Sequence, residues 1–219
     1  MEIFGTEILS NTLYLIAQSL LIPVIITIFI FITYAVLSLG GFLTENFSRS
    51  KFGIDKSEQL IRAISKSNSA KEMDGIINES ELDSYDKEIL SKIIFNHDIG
   101  PRARKALATK LMEEKELQSS YITQRTDILV RLGPTLGLMG TLIPLGPGLA
   151  ALGNGNINEL AQALTIAFDA TVTGLAAGSI GFIISRYRQK WYMDDLSILE
   201  AITESLLEAL DKCQNEGDS

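Results

Sequence analysis

The sequence predicts an all-α membrane protein with three transmembrane helices and long cytoplasmic helical extensions, and three observations carry that prediction. No charged residue lies between Leu13 and Leu43 or between Leu132 and Asn158. Between Leu160 and Ser185 the only one is Asp169. Each run exceeds the roughly 20 apolar residues that cross a bilayer. With 21% charged residues in 219, the composition also leans towards a membrane protein.

Taken in order, residues 1–43 read as an outer N-terminus and first membrane helix. Glu2 and Glu7 precede the span where a signal peptide would carry basic residues, and the run is too long for one, so it reads as a retained anchor. Its bulky, β-branched stretch "LYLIAQSLLIPVIITIFIFITYAVL" suits a helix that faces lipid. Residues 44–127 read as a cytoplasmic helical region, because apolar residues recur at three and four and capping signals punctuate them. Ser69 with Glu72 fits a capping box. Gly100 and Pro101 then open a pattern that runs without a breaker into the second span, so one helix is expected to project from the membrane into the cytoplasm.

Residues 128–152 form the second span, whose prolines are tolerated because neighbouring helices and hydroxyls can satisfy the freed carbonyls. Pro144 and Pro147 are expected to bend or interrupt its outer half. Residues 153–159, with "GNGNIN", read as an outer turn, and 160–185 as the third span. Residues 186–219 continue it as a cytoplasmic helix and tail, with a stripe of Leu196, Leu199, Ile202, Leu206 and Leu210. His97 and the charge runs read as solvated helix surface.

Orientation follows from charge, since Lys and Arg mark the cytoplasmic side. Arg49 and Lys51 follow span one, Arg125 and Arg131 enter span two, and Arg186, Arg188 and Lys190 follow span three. The segment before span one and the turn after span two carry no basic residue. The N-terminus is therefore expected outside and the C-terminus inside, in a cell or inner membrane. Trp191 and Tyr192 beside the last bases fit an interfacial aromatic belt.

Several function classes are excluded. The formal net charge of −8 lacks the basic footprint of a nucleic-acid binder. A single cysteine, Cys213, gives neither a disulfide framework nor a metal spacing, and no GxGxxG or phosphate-binding lysine motif occurs. Nothing near a membrane face pairs a nucleophile with a base, so an enzyme is not expected, and no resident cofactor or metal is implied.

Helices in lipid associate by close packing of small residues and by interhelical hydrogen bonds. Gly133, Gly137 and Gly140 in span two, with Ala170, Gly174, Ala177, Gly178 and Gly181 in span three, supply such stripes. Thr135 and Thr141 in span two and Thr165, Thr171 and Thr173 in span three carry hydroxyls, each of which could simply bond its own helix. Asp169 is harder to assign to structure alone. A carboxylate inside the membrane is costly and usually faces a bundle interior or water along an ion pathway. It could also join helices through Thr165 and Thr173, one turn away on either side.

With these residues placed, "GPTLGLMGTLIPLGPGL" and "LAQALTIAFDATVTGLAAGSIGFIISRY" resemble the second and third membrane helices of the MotA/TolQ/ExbB superfamily, in a three-span layout like that of ExbB and TolQ. The resemblance implies a homopentamer whose second and third helices line a central pore. That pore would enclose two copies of a single-span partner similar to ExbD, TolR or MotB and carry H+ or Na+. It also implies that Thr141 in "GLMGT" and Thr171 in "DATVTGL" belong to the ion pathway. The sequence departs from the pattern where Ile166 stands at the third-helix glutamate of ExbB, where Asp169 replaces the apolar or small residue of ExbB-like proteins, and where "TLIPLGPGLAAL" carries two extra prolines. Asp169 and Thr171 are about 200° apart on a helix, so they cannot face the same line.

Two function classes follow. One is an ion-driven motor subunit whose pathway uses Thr141, Thr171, Asp169 and Thr173. The other is a structural membrane scaffold that recruits proteins through its cytoplasmic helices and conducts nothing. The motor class predicts that Asp169→Asn abolishes work, and the scaffold class predicts that it is tolerated. Transport, envelope maintenance, motility and defence remain open as the process served.

Overall fold

A computed structural model describes residues 2–48, 53–96 and 98–217, so Arg49, Lys51 and His97, used in the sequence reading, lie outside the described residues. The described residues form helices with no strand: α1 (Glu2–Ser48), α2 (Ile54–Lys66), α3 (Ala70–Glu79), α4 (Ser84–Phe95), α5 (Pro101–Gly153) and α6 (Ile157–Gly217). Three of them, α1, α5 and α6, are long and apolar enough to cross a membrane. The chain divides into two compact units, one of residues 1–47 and 123–187, the other of 48–122 and 188–219.

The first unit holds the three apolar stretches. Its α5 and α6 meet backbone to backbone at glycines. A methyl added to Gly133 would lie 2.8 Å from the Gly174 carbonyl oxygen, and one added to Gly174 would lie 2.6 Å from that of Gly133. Further along the seam, Gly140 abuts Ala170 and Gly148 abuts Ala163. Gly178 lies against Pro134, and Gly181 against Leu129. Such proximity lets dispersion and weak polar contacts act where apolar burial gives little.

Helix α1 lies against this pair through Val24 and Ile28, which pack on Ile143 and Ala170, and through Ala35, which packs with Leu129 and Ala177. Its remaining surface is bulky and open, with Ile22 and Leu37 about 70% exposed.

Helix α5 runs unbroken through Pro134, Pro144 and Pro147, so of the expected bend or interruption at the last two, the interruption does not occur. Part of the reason lies in α1. Pro147 removes the amide that would bond the Ile143 carbonyl, and Gln18 Nε2 donates to that carbonyl at 3.2 Å instead.

The link between α5 and α6 is shorter than the sequence suggests, spanning Asn154 to Asn156. The Asn156 amide bonds the Ala151 carbonyl, the Gly155 amide bonds that of Leu152, and Gly155 takes a φ of +81°. This is a Schellman ending, whose left-handed position glycine tolerates without a Cβ penalty. Asn156 then caps α6, accepting from the Glu159 amide through Oδ1 and donating to the Glu159 carboxylate through Nδ2.

The second unit is built around an apolar cluster. Leu60 and Ile64 of α2, Met73 and Ile77 of α3, and Ile89, Leu90, Ile93 and Ile94 of α4 are buried with Leu199, Ile202, Leu206 and Leu210 of α6. Leu196, the first residue of the expected stripe, is only half-buried. Pro101 opens α5, where its missing amide costs no hydrogen bond. At α3 the capping differs from the expected box: Ser69 is the N-cap but makes no side-chain cap bond, while Glu72 reaches back to the Asn68 amide at 3.1 Å.

Two charged groups lie inside this unit. Arg104 has no exposed side-chain surface and binds Asp211, Gln214 and the Ile99 carbonyl. Asp86 is buried and paired with Lys115. Burial pushes the Asp86 carboxyl above its ordinary range, and Asp83 and Asp195 add to this against the pull of Lys115.

A raised folded-state pKa means that the folded chain binds the proton more tightly than the unfolded chain. The contribution of Asp86 to stability therefore grows as the pH falls from neutral through that raised pKa, and levels off below the unfolded value. Thermal unfolding of the full chain and of Asp86→Asn should show wild type gaining relative to the variant as the pH falls from neutral towards the ordinary carboxylate value of 3.8. A constant difference, or one moving the other way, would mean that Lys115 outweighs burial.

Candidate ion pathway of the membrane unit

Hydroxyls and one carboxylate populate the spans of the first unit, and α1 divides them into two sides. On the side of the α5–α6 seam away from α1 lie Thr141 and Thr171, both half-buried. Helical spacing places Thr141 about 100° round α5 from Gly140, which meets Ala170 and Ile28, and about 160° from Ile143, which packs on α1. Thr171 Oγ1 donates to its own helix at Ala167 O (3.1 Å) and across the seam to Gly137 O (3.4 Å). Thr141 Oγ1 donates to Leu138 O at 2.6 Å.

Asp169 and Thr173 lie on the other side. They line a groove of about 280 Å³ between α6 and α1, together with Ile25, Ile28, Phe29, Ile166 and Ala170. The Asp169 side chain is exposed, and its carboxylate has no hydrogen bond or ion pair among the described residues. Thr173 Oγ1 donates to the Asp169 backbone carbonyl at 2.7 Å, not to its carboxylate. Thr165 and Thr135 likewise bond carbonyls of their own helices, at Ala161 and Leu132. The four residues named from sequence as an ion pathway thus fall into two pairs on different sides of the α5–α6 seam.

One polar contact escaped the sequence reading. Ser185, buried on α6, donates from Oγ to Asp127 Oδ1 of α5 at 2.5 Å. Asp127 stands at the edge of the segment 44–127, and its only signal in the sequence is an acidic residue shortly before Gly133, the first glycine of the seam. At the same end, Tyr187 meets Phe42 with ring centroids 5.9 Å apart, and the Arg186 guanidinium lies 5.4 Å over Phe182. Both fit an aromatic belt at a membrane interface. Among the described residues, no cluster of His, Cys, Asp or Glu could hold a metal ion.

Residues 79–201 match the family model described as the MotA/TolQ/ExbB proton channel family. That match covers more than half of the chain. The chain belongs to the MotA/TolQ/ExbB proton channel family. The matched stretch includes the glycine-lined parts of α5 and α6 and the helix α4 that precedes them. No curated protein matches the sequence. Family membership and three apolar helices together make this an all-helical, multi-pass membrane protein of a channel family.

Proposed function

We propose that this member of the MotA/TolQ/ExbB family is the pore-forming subunit of an ion-driven membrane motor. Five copies surround a central pore, two copies of a single-span ExbD/TolR/MotB-like protein stand within it, and H+ or Na+ passes between them. The observation that carries this reading is the placement of Thr141 and Thr171 on one side of the glycine seam, with bulky α1 on the other. A ring that turned the threonine side inward would leave α1 facing lipid. The charge bias supports an outer N-terminus, an outer turn at 153–159, and cytoplasmic segments at 44–127 and 186–219. In this arrangement Asp169 and Thr173 face the α1 groove and not the pore line.

The expected result is that Thr141→Val or Thr171→Val lowers gradient-driven ion flux at least tenfold in the purified complex while leaving its mass unchanged. Valine keeps the β-branched shape and removes only the hydroxyl. Asp169→Asn should cost less than either. Wild-type flux in both threonine variants would remove the threonine face from the pathway, and wild-type flux no higher than in protein-free vesicles would favour the non-conducting scaffold.

A further inference from the structure

Asp127, Pro134 and Thr141 recur on α5 at intervals of seven, so they share one face with a drift of roughly 20° per step. Ser185, Gly178 and Thr171 recur at the same interval on α6. The two lines meet at three levels. Ser185 bonds Asp127, Gly178 lies where a methyl would be 2.9 Å from Pro134 Cδ, and Thr171 bonds the carbonyl of Gly137, one turn from Thr141. The threonine side of the seam therefore carries hydroxyls at one end and a carboxylate about 21 Å away at the other.

We infer that Asp127 is the acidic ion-pathway residue of this chain, receiving or releasing the ion at the cytoplasmic end of the threonine face, with Ser185 as its positioning residue. The inference rests on the conducting reading proposed above and changes which acid serves it. Asp169 faces the opposite side of α6, beside α1, whereas Asp127 lies on the line of Thr141. Asp127 is half-buried, which leaves it open to water, and Ser185 fixes one carboxylate oxygen while the other stays available. A carboxylate so held attracts a cation without being sealed by an ion pair: Arg131, one turn along α5, forms none with it among the described residues. Pro134 and Leu138, between the two ends, carry no polar side chain, so a partner's group or water must carry the ion across the middle.

The chemistry of the Ser185 contact supplies a discriminating test. Ser185 is the donor, so the amide oxygen introduced by Asp127→Asn could accept the same bond, and the substitution removes charge while preserving structure. The complex, purified from its native membrane and reconstituted in proteoliposomes, is driven by an imposed gradient and read with proton- and sodium-sensitive dyes. Asp127→Asn should lower flux at least tenfold with unchanged assembled mass and melting temperature. Asp127→Glu should retain part of it, and Ser185→Ala should show a smaller loss than Asp127→Asn. Wild-type flux in Asp127→Asn alongside a blocked Thr141→Val would overturn the inference and leave the conducting reading standing. A loss in Ser185→Ala as complete as in Asp127→Asn, with a lowered melting temperature in both, would reduce the contact to structure and also overturn it. Absence of wild-type flux above that of protein-free vesicles would sink both.

Discussion

Gly174→Leu is expected to yield no stable protein, and Gly174→Ala to be clearly destabilised. The reason is that a Cβ at this position meets the backbone of α5 at two successive turns, 2.6 Å from the Gly133 oxygen and 2.8 Å from the Gly137 Cα. Backbone cannot swing aside as a flexible side chain would, so α5 and α6 must separate. Overpacking of a fitted interior costs about 1–3 kcal/mol for a small increment, and a leucine far exceeds one. Separation would also break the Thr171 bond to Gly137 and pull Gly178 from Pro134. Gly40→Ala provides the comparison: the same change in α1 meets nothing within 4 Å, and alanine is the better helix former by about 1 kcal/mol. Thermal unfolding in detergent should show Gly40→Ala unchanged or raised and Gly174→Ala lowered. Equal effects would mean that the glycines do not hold the pair together.

Arg104→Ala should cost on the order of 3 kcal/mol in the second unit, at the lower end of what breaking a buried ion pair costs. Arg104 joins the first turn of α5 to the last turns of α6 across 107 residues of sequence, through Asp211 at 3.0 Å and Gln214 at 2.6 Å. Removing it takes away two anchors and the Ile99 carbonyl's partner, and leaves a void where a large side chain had no exposed surface. Asp211 is 43% exposed, so water can recover part of the loss on its side. Asp211→Ala is different in kind, because it takes the counter-charge from a buried guanidinium and leaves it neutral acceptors such as Gln214 and the Ile99 carbonyl, and it should cost about as much. Limited proteolysis of the full chain would locate the damage, with earlier cleavage after residue 188 in both variants. Cleavage at the wild-type rate would contradict the account of Arg104 as the clasp between these two helix ends.

Much of the architecture is legible in the sequence because it is local or periodic. Runs with at most one charged residue mark three spans, Gly100 and Pro101 mark where α5 begins, and the small residues at 133, 137, 140, 174 and 178 mark surfaces fit for close packing. What escapes depends on residues far apart in sequence. Gln18 looks like one amide in an apolar helix, and its purpose follows only once α1 lies against the carbonyl that Pro147 leaves free, 125 residues away. Arg104 sits in a charge run that periodicity assigns to solvent, yet the end of α6 covers it. For the candidate ion pathway, the hydroxyls and Asp169 are visible as residue types. Helical spacing alone separates Asp169 from Thr171, but which of the two sides α1 covers depends on packing that hydropathy does not encode. Asp127 draws no notice in the sequence because its partner lies 58 residues on.

If the threonine side of the seam faces a pore, that pore must be built from several copies of this chain. Native mass spectrometry of the detergent-solubilised complex, with and without a co-expressed single-span partner, tests it most directly. The account predicts a mass of five copies, rising by two copies of the partner when it is present. A monomer, dimer or tetramer that takes up no partner would contradict it.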